Sequence, residues 1–148
     1  PVHLDRADKK ALKINGYDPK KWKDAIDQRS AAIQISEFLK GGYRIVGHNP
    51  SFDMGFIRSL LEDHNCSTWI DYRYIDTIVL AIEHLEYCGL DSFSLSACRS
   101  FFGWDDNGSH TAKKDALDAF RLYEKLYRAS PLKRLFWRYF PRLRRLTA

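Results

Sequence analysis

Apolar residues recur along this chain at helical spacing, interrupted by two short runs of strand character. From about Lys21 to Lys40, Trp22, Ala25, Ile26, Ala32, Ile33 and Leu39 return at steps of three, four and seven, and Gly41-Gly42 ends the pattern. This predicts an amphipathic helix. Tyr43 to Gly47, apolar at Ile45 and Val46, predicts a buried strand. Asn49 followed by Pro50 predicts an N-cap with proline in the first helical position. The helix it opens carries Phe52, Phe56, Ile57, Leu60 and Leu61 on one side. Trp69 to Ile75 has β-type residues, and Asp76-Thr77 marks the start of a helix running through Leu85. A shorter helix spans Leu95 to Phe102 and is closed by Gly103. A polar loop, Trp104 to Ser109, then leads into a long helix from about Thr111 to Arg128. Its expected apolar face is Ala112, Ala116, Ala119, Phe120, Tyr123 and Tyr127. Residues 1–20 are polar and rich in turn formers, and are expected to be a connecting segment.

Helix, strand, helix, strand and then several helices is an α/β order. Two strands are too few for a stable open sheet, so either further strands belong beside them or some segments read otherwise are strands. The length of 148 residues suits one domain with a core of ordinary size. Three cysteines, Cys66, Cys88 and Cys98, form no C-x-x-C pair, which argues against zinc and disulfides and for a reduced, cytoplasmic setting. No apolar run approaches the ~18 residues of a membrane span.

Charge is concentrated at one end. From Pro131 to Ala148 there are Lys133, Arg134, Arg138, Arg142, Arg144 and Arg145 and no acid, although the whole chain carries only +5. The body is therefore close to neutral, and the basic character belongs to the tail. Phe136, Trp137, Tyr139 and Phe140 interleave with these cations. Such a segment suits a phosphate backbone with its rings on bases, an anionic membrane surface, a protein partner, or an amphipathic helix lying on its own domain.

Two segments carry candidate chemistry: Gly47-His48-Asn49-Pro50-Ser51-Phe52-Asp53 and Ser109-His110-Thr111-Ala112-Lys113-Lys114-Asp115. Each sets a carboxylate in the first turn of a helix, and the second adds a histidine five positions ahead. Asp53 and Asp115 each have a plain reading as a first-turn acid favoured by the helix dipole, and Asp115 also as a partner of Lys113 or Lys114. His110, in its loop, reads alone as a surface or capping residue. Taken together, two carboxylates and an imidazole are the parts needed to hold divalent metal ions and activate water.

These motifs resemble those of the DEDD 3′–5′ exonucleases. Gly47 to Asp53 resembles the family's second motif, and His110-x4-Asp115 the third motif of its histidine-bearing branch. Ile75-Asp76-Thr77 and Leu90-Asp91-Ser92-Phe93-Ser94-Leu95 resemble the segments between them, so the similarity covers roughly residues 10–128. The resemblance implies an RNase H-like α/β fold and a metal-dependent 3′–5′ exonuclease releasing nucleoside 5′-monophosphates. Its substrate would be a single-stranded DNA or RNA 3′ end, with DNA preferred. It implies two divalent metal ions, Mg²⁺ or Mn²⁺, held by Asp53 and Asp115 among other carboxylates, with His110 as general base. Asn49 would cap its helix and also meet substrate. Phe52 and Phe56 read as core residues, with stacking on a terminal base as the lesser alternative. His48 is a rival base, better read as a packed residue. A polymerase or other replication or repair protein is the expected partner.

The chain departs from the family at its first motif, D-x-E, which occurs nowhere in the 148 residues. With only two strands visible and Pro1 as first residue, the expectation is a fold without its leading strands. Residues 1–130 would form the exonuclease domain and residues 131–148 a basic, aromatic C-terminal extension. The rival is a non-catalytic nucleic-acid-binding or scaffold domain on the same fold, with an incomplete metal site.

Overall fold

The computed structural model describes residues 6–14, 16–66, 68–105, 111–127 and 129–140. In chain order the elements are α1 (Lys9–Ile14), α2 (Gln28–Leu39), β1 (Val46–Gly47), α3 (Pro50–Asp63), β2 (Ile75–Asp76), α4 (Thr77–Leu85), a 3₁₀ turn (Glu86–Cys88), α5 (Leu95–Phe102), α6 (Ala112–Tyr127) and α7 (Pro131–Tyr139). Each begins where a local signal permits. Asp27 caps α2 by accepting from the Ser30 N–H at 2.9 Å, and Asp76 caps α4 from Ile78 at 2.9 Å. Ser94 caps α5 from Ala97 at 3.2 Å, and Ser130 caps α7 from Lys133 at 3.2 Å. Gly103, at φ 66°, closes α5 in the left-handed region where glycine pays no steric penalty.

Three expectations change. Helix α2 starts at Gln28, with Lys21–Asp24 in turns, because the Asp27 cap decides the start over the apolar periodicity upstream. Residues 1–20 contain the short helix α1. The expected strand 69–75 shrinks to Ile75–Asp76. There the buried Asp71 accepts from the Arg73 backbone at 2.9 Å and from Arg73 Nε at 2.8 Å. This local bonding competes with a strand ladder.

Among the described residues the sheet is a parallel pair, with Val46 opposite Ile75 and Gly47 opposite Asp76. Parallel strands are normally covered on both faces. The pair stands between two apolar groups. The larger joins α4, α5, α6 and α7 through Ala81, Leu85, Cys98, Phe102, Leu122, Leu126 and Trp137, which are all fully buried. The smaller centres on Ala32, Leu39 and Leu61 of α2 and α3, with Ile45 beside them. Trp137 ties α7 to the larger group, 5.4 Å edge-on to Phe102. The first half of the tail is therefore a helix anchored on the domain. Arg142, Arg144 and Arg145 lie outside the described residues.

Helix α6 shows its core with a different stripe from the one expected. Asp118, Ala119, Leu122 and Leu126 are buried, while Ala112, Ala116, Phe120 and Tyr127 are exposed. Phe120, Tyr123 and Tyr127 meet one another along the helix, with Tyr123–Tyr127 centroids 5.0 Å apart. In α3 the buried positions are Pro50, Met54 and Leu61. Phe52 and Phe56 are 63% and 67% exposed and meet edge-on at 5.1 Å, so the core reading of these two rings does not hold.

Candidate active site

The site is built where β1 turns into α3. Gly47 must be small, since a Cβ there would lie 3.0 Å from the Pro50 Cβ. Asn49 occupies the left-handed region at φ 66°, ψ 52°, a conformation asparagine tolerates better than most residues. Its side chain makes no cap bond to α3, contrary to expectation, and instead accepts from Ser51 Oγ at 3.0 Å. Left-handed backbone turns the chain without the usual N-cap geometry, so the Asn49 oxygen is not aimed at the helix N–H groups.

The turn is fixed from β2. Asp76 Oδ1 accepts from the Asn49 N–H at 3.1 Å as well as from Ile78. One carboxylate thus caps α4 and holds the loop that leads to Asp53. Thr77, fully buried, donates to the Gly47 carbonyl at 3.1 Å and meets His48 Nδ1 at 2.9 Å. Burial, the largest influence, holds the His48 pKa below its ordinary value, and the Arg99 charge acts the same way against the Phe93 backbone and Asp76. His48 is thus a half-buried ring held against Thr77, with its charged form disfavoured.

Asp53 and Asp115 line one groove of about 930 Å³, together with Asn49, Phe52, His48 and Arg99. Asp53, in the first turn of α3, is exposed and has no hydrogen-bond or ion-pair partner among the described residues. Exposure removes the need for a partner that a buried carboxylate would have. Asp115, in the first turn of α6, is 37% exposed and is engaged from α5: Arg99 Nη2 donates to its Oδ1 at 2.5 Å. Neither Lys113 nor Lys114 is the partner shown; Lys114 Nζ lies 2.5 Å from Asp118 instead. His110 lies outside the described residues, so the structure brings Asp53 and Asp115 together without placing the third expected member.

Sequence reading missed Arg99 and Asp118, and a signal for both existed. Arg99 falls with Leu95, Cys98 and Phe102 at i, i+3, i+4 and i+7, and Asp118 precedes Leu122 by one turn. A charge at a core position of a helix must bring its own partner. Arg99 is 2% exposed, and its Nε donates to Asp118 Oδ2 at 2.7 Å.

Residues 1–123 match the family model described as exonuclease. The chain belongs to the exonuclease family. The match supports the histidine-bearing DEDD type, implies the RNase H-like fold, and makes this family member a nuclease with nucleic acid as its substrate class. The described portion of that fold is rich in helix around a small parallel sheet. No curated protein and no solved structure matches the chain. No helix among the described residues is long and apolar enough to cross a membrane.

Divalent metal ions are the family's usual cofactors. Among the described residues no three His, Cys, Asp or Glu side chains gather as a metal site. The two carboxylates that share the groove are nevertheless hard oxygen donors. Mg²⁺ is commonly held by one or two carboxylates, with water and substrate phosphate completing its shell. Their oxygens are of the donor type such an ion takes.

Proposed function

We propose that this exonuclease-family chain acts on single-stranded 3′ ends, DNA in preference to RNA, and releases nucleoside 5′-monophosphates in a reaction dependent on Mg²⁺ or Mn²⁺. The observation that carries this reading is the convergence of Asp53 and Asp115, from first turns of two different helices, on one open groove. Asp53 and Asp115 would hold the ion, which supplies charge neutralisation at the scissile phosphate. The chain's own part is to fix those two oxygens through the Asp76–Asn49 link and the α5–α6 ion pairs. Phe52, exposed on the groove, offers a face for a terminal base. Asn49 borders the same space. His110, one residue ahead of Thr111, would take the proton of the attacking water.

Relatives draw two further carboxylates from D-x-E, which this sequence lacks. A replication or repair polymerase is the partner this reading implies. The test uses 5′-labelled single-stranded DNA and the full-length gene product with Mg²⁺. A ladder shortening from the 3′ end is expected, abolished by chelation and by Asp115→Asn or His110→Ala. Hydrolysis that survives both changes refutes the roles of Asp115 as metal ligand and His110 as base.

A second reading, binding without hydrolysis, is favoured by one observation: the Arg99 bond already engages one oxygen of Asp115. It predicts retention of single strands with no products, with or without metal.

A further inference from the structure

Arg99 is buried on α5, and its planar fork reaches two carboxylates on successive turns of α6. Nε meets Asp118 Oδ2 at 2.7 Å and Nη2 meets Asp115 Oδ1 at 2.5 Å. Asp118, itself buried, also takes Lys114 Nζ at 2.5 Å. Two cations and two anions therefore cancel within this cluster. Lys114 already shares Asp118, so charge balance sends the second bond of Arg99 to Asp115, a carboxylate that lines the groove.

We propose that Arg99 is a resident counter-ion of the groove: it holds one oxygen of Asp115, competes with a divalent cation for that oxygen, and is kept in place by Asp118. The inference rests on the reading of Asp115 as a metal ligand. A guanidinium keeps its charge at any pH the folded protein meets. The counter-ion is thus permanent and cannot be discharged to admit a metal. It must give up its Asp115 bond while keeping the one to Asp118. Metal occupancy should accordingly be weak in the resting protein.

The test is a Mn²⁺ titration of the chain followed by electron paramagnetic resonance of the free ion. An Arg99→Gln, Asp118→Asn double variant keeps a neutral, hydrogen-bonding pair in place of the ionic one. Releasing Asp115 from a charge-assisted bond should tighten Mn²⁺ binding about tenfold or more. Unchanged or undetectable binding in the folded double variant overturns the proposal. Adding Asp115→Asn to that variant should abolish the gain. If tight binding persists without Asp115, the assignment of Asp115 as a metal ligand fails. If Asp115→Asn weakens Mn²⁺ binding but the double variant shows no gain, only the counter-ion role fails. Should the double variant not fold, the Arg99 side-chain ¹⁵N resonances of the unaltered chain give the answer. A saturable Nη shift on Mg²⁺ addition is expected, and its absence overturns the competition.

Discussion

Helix α6 accommodates charge in two different ways along its length. Near its start, Arg99 and Lys114 are set against Asp115 and Asp118, each cation within 2.7 Å of a carboxylate oxygen. Two turns later, Arg121 lies 4.3 Å above the Trp104 ring and Lys125 4.8 Å above Phe102. The rings beneath are themselves stacked at 5.1 Å. The first half uses directional bonds between full charges. The second uses ring faces and the apolar stems of the long side chains. Opposite charges can specify a geometry to a fraction of an ångström, which a site needs. Rings provide bulk and cohesion but little aim, which suffices where α7 is merely anchored.

The contrast can be broken most forcefully on the ring side. Phe102 is fully buried and touches Phe101, Trp104 and Trp137. Phe102→Ala should cost about 3–5 kcal/mol in urea unfolding. A loss below about 1 kcal/mol would show that this half does not rest on its rings.

On the ionic side, Arg99→Met leaves the buried Asp118 with Lys114 alone and should cost about 3 kcal/mol. Adding Asp118→Leu should restore most of that loss, because removing both charges also removes the desolvation penalty. Additive losses in the double variant would mean that the pair itself, and not the orphaned carboxylate, supplies the stability.

Acid sharpens the same difference. Burial pushes the Asp118 carboxyl up, but its bonds to Lys114 and Arg99 prevail and hold it below its ordinary 3.8. The folded state thus binds this proton less readily than the unfolded chain does. Its contribution is complete above about pH 3.8 and is lost as pH falls through the lower folded value. Thermal midpoints recorded from pH 5 downward should drop more steeply for the unaltered chain than for Asp118→Asn. Parallel curves would remove Asp118 from the acid response.

The smallest effect is expected at Lys125. Burial first, then Lys133 and Arg121, pull its pKa from 10.5 to about 8. A lysine lowered on folding costs stability while charged. That cost is full below pH 8 and vanishes as pH rises from 8 towards 10.5. Lys125→Met keeps the stem over Phe102 and should stabilise the protein by about 1 kcal/mol at pH 7, discounted because the side chain is only half-buried. The gain should shrink at pH 10. A loss at pH 7 would show that the ring contact outweighs the cost of the charge.

These two halves also explain what could be read from the sequence. Punctuation was legible: Asp76 and Gly103 bound their helices as expected, and Pro50 opens α3. Asp53 and Asp115, singled out by two motifs, line the same groove. Facing was less legible, because periodicity finds an apolar stripe without saying what it meets. Ala112 and Ala116 line the groove, and Phe120, Tyr123 and Tyr127 stack among themselves at the surface. Counting residue types hides Asp118 and Arg99, although the helical spacing of each with apolar neighbours marks a core position. The expected strand at 69–75 failed because Asp71 and Arg73 bond locally within three residues.

Cys98 stands one residue before Arg99 on α5, and burial pushes its thiol up to about 11. At neutral pH it offers almost no thiolate to an alkylating reagent. Modification must then wait for the helix that carries the guanidinium to come away from its neighbours. The rate at which an alkylating reagent labels this sulfur is an internal clock for that opening, already wired into the chain and readable by mass spectrometry.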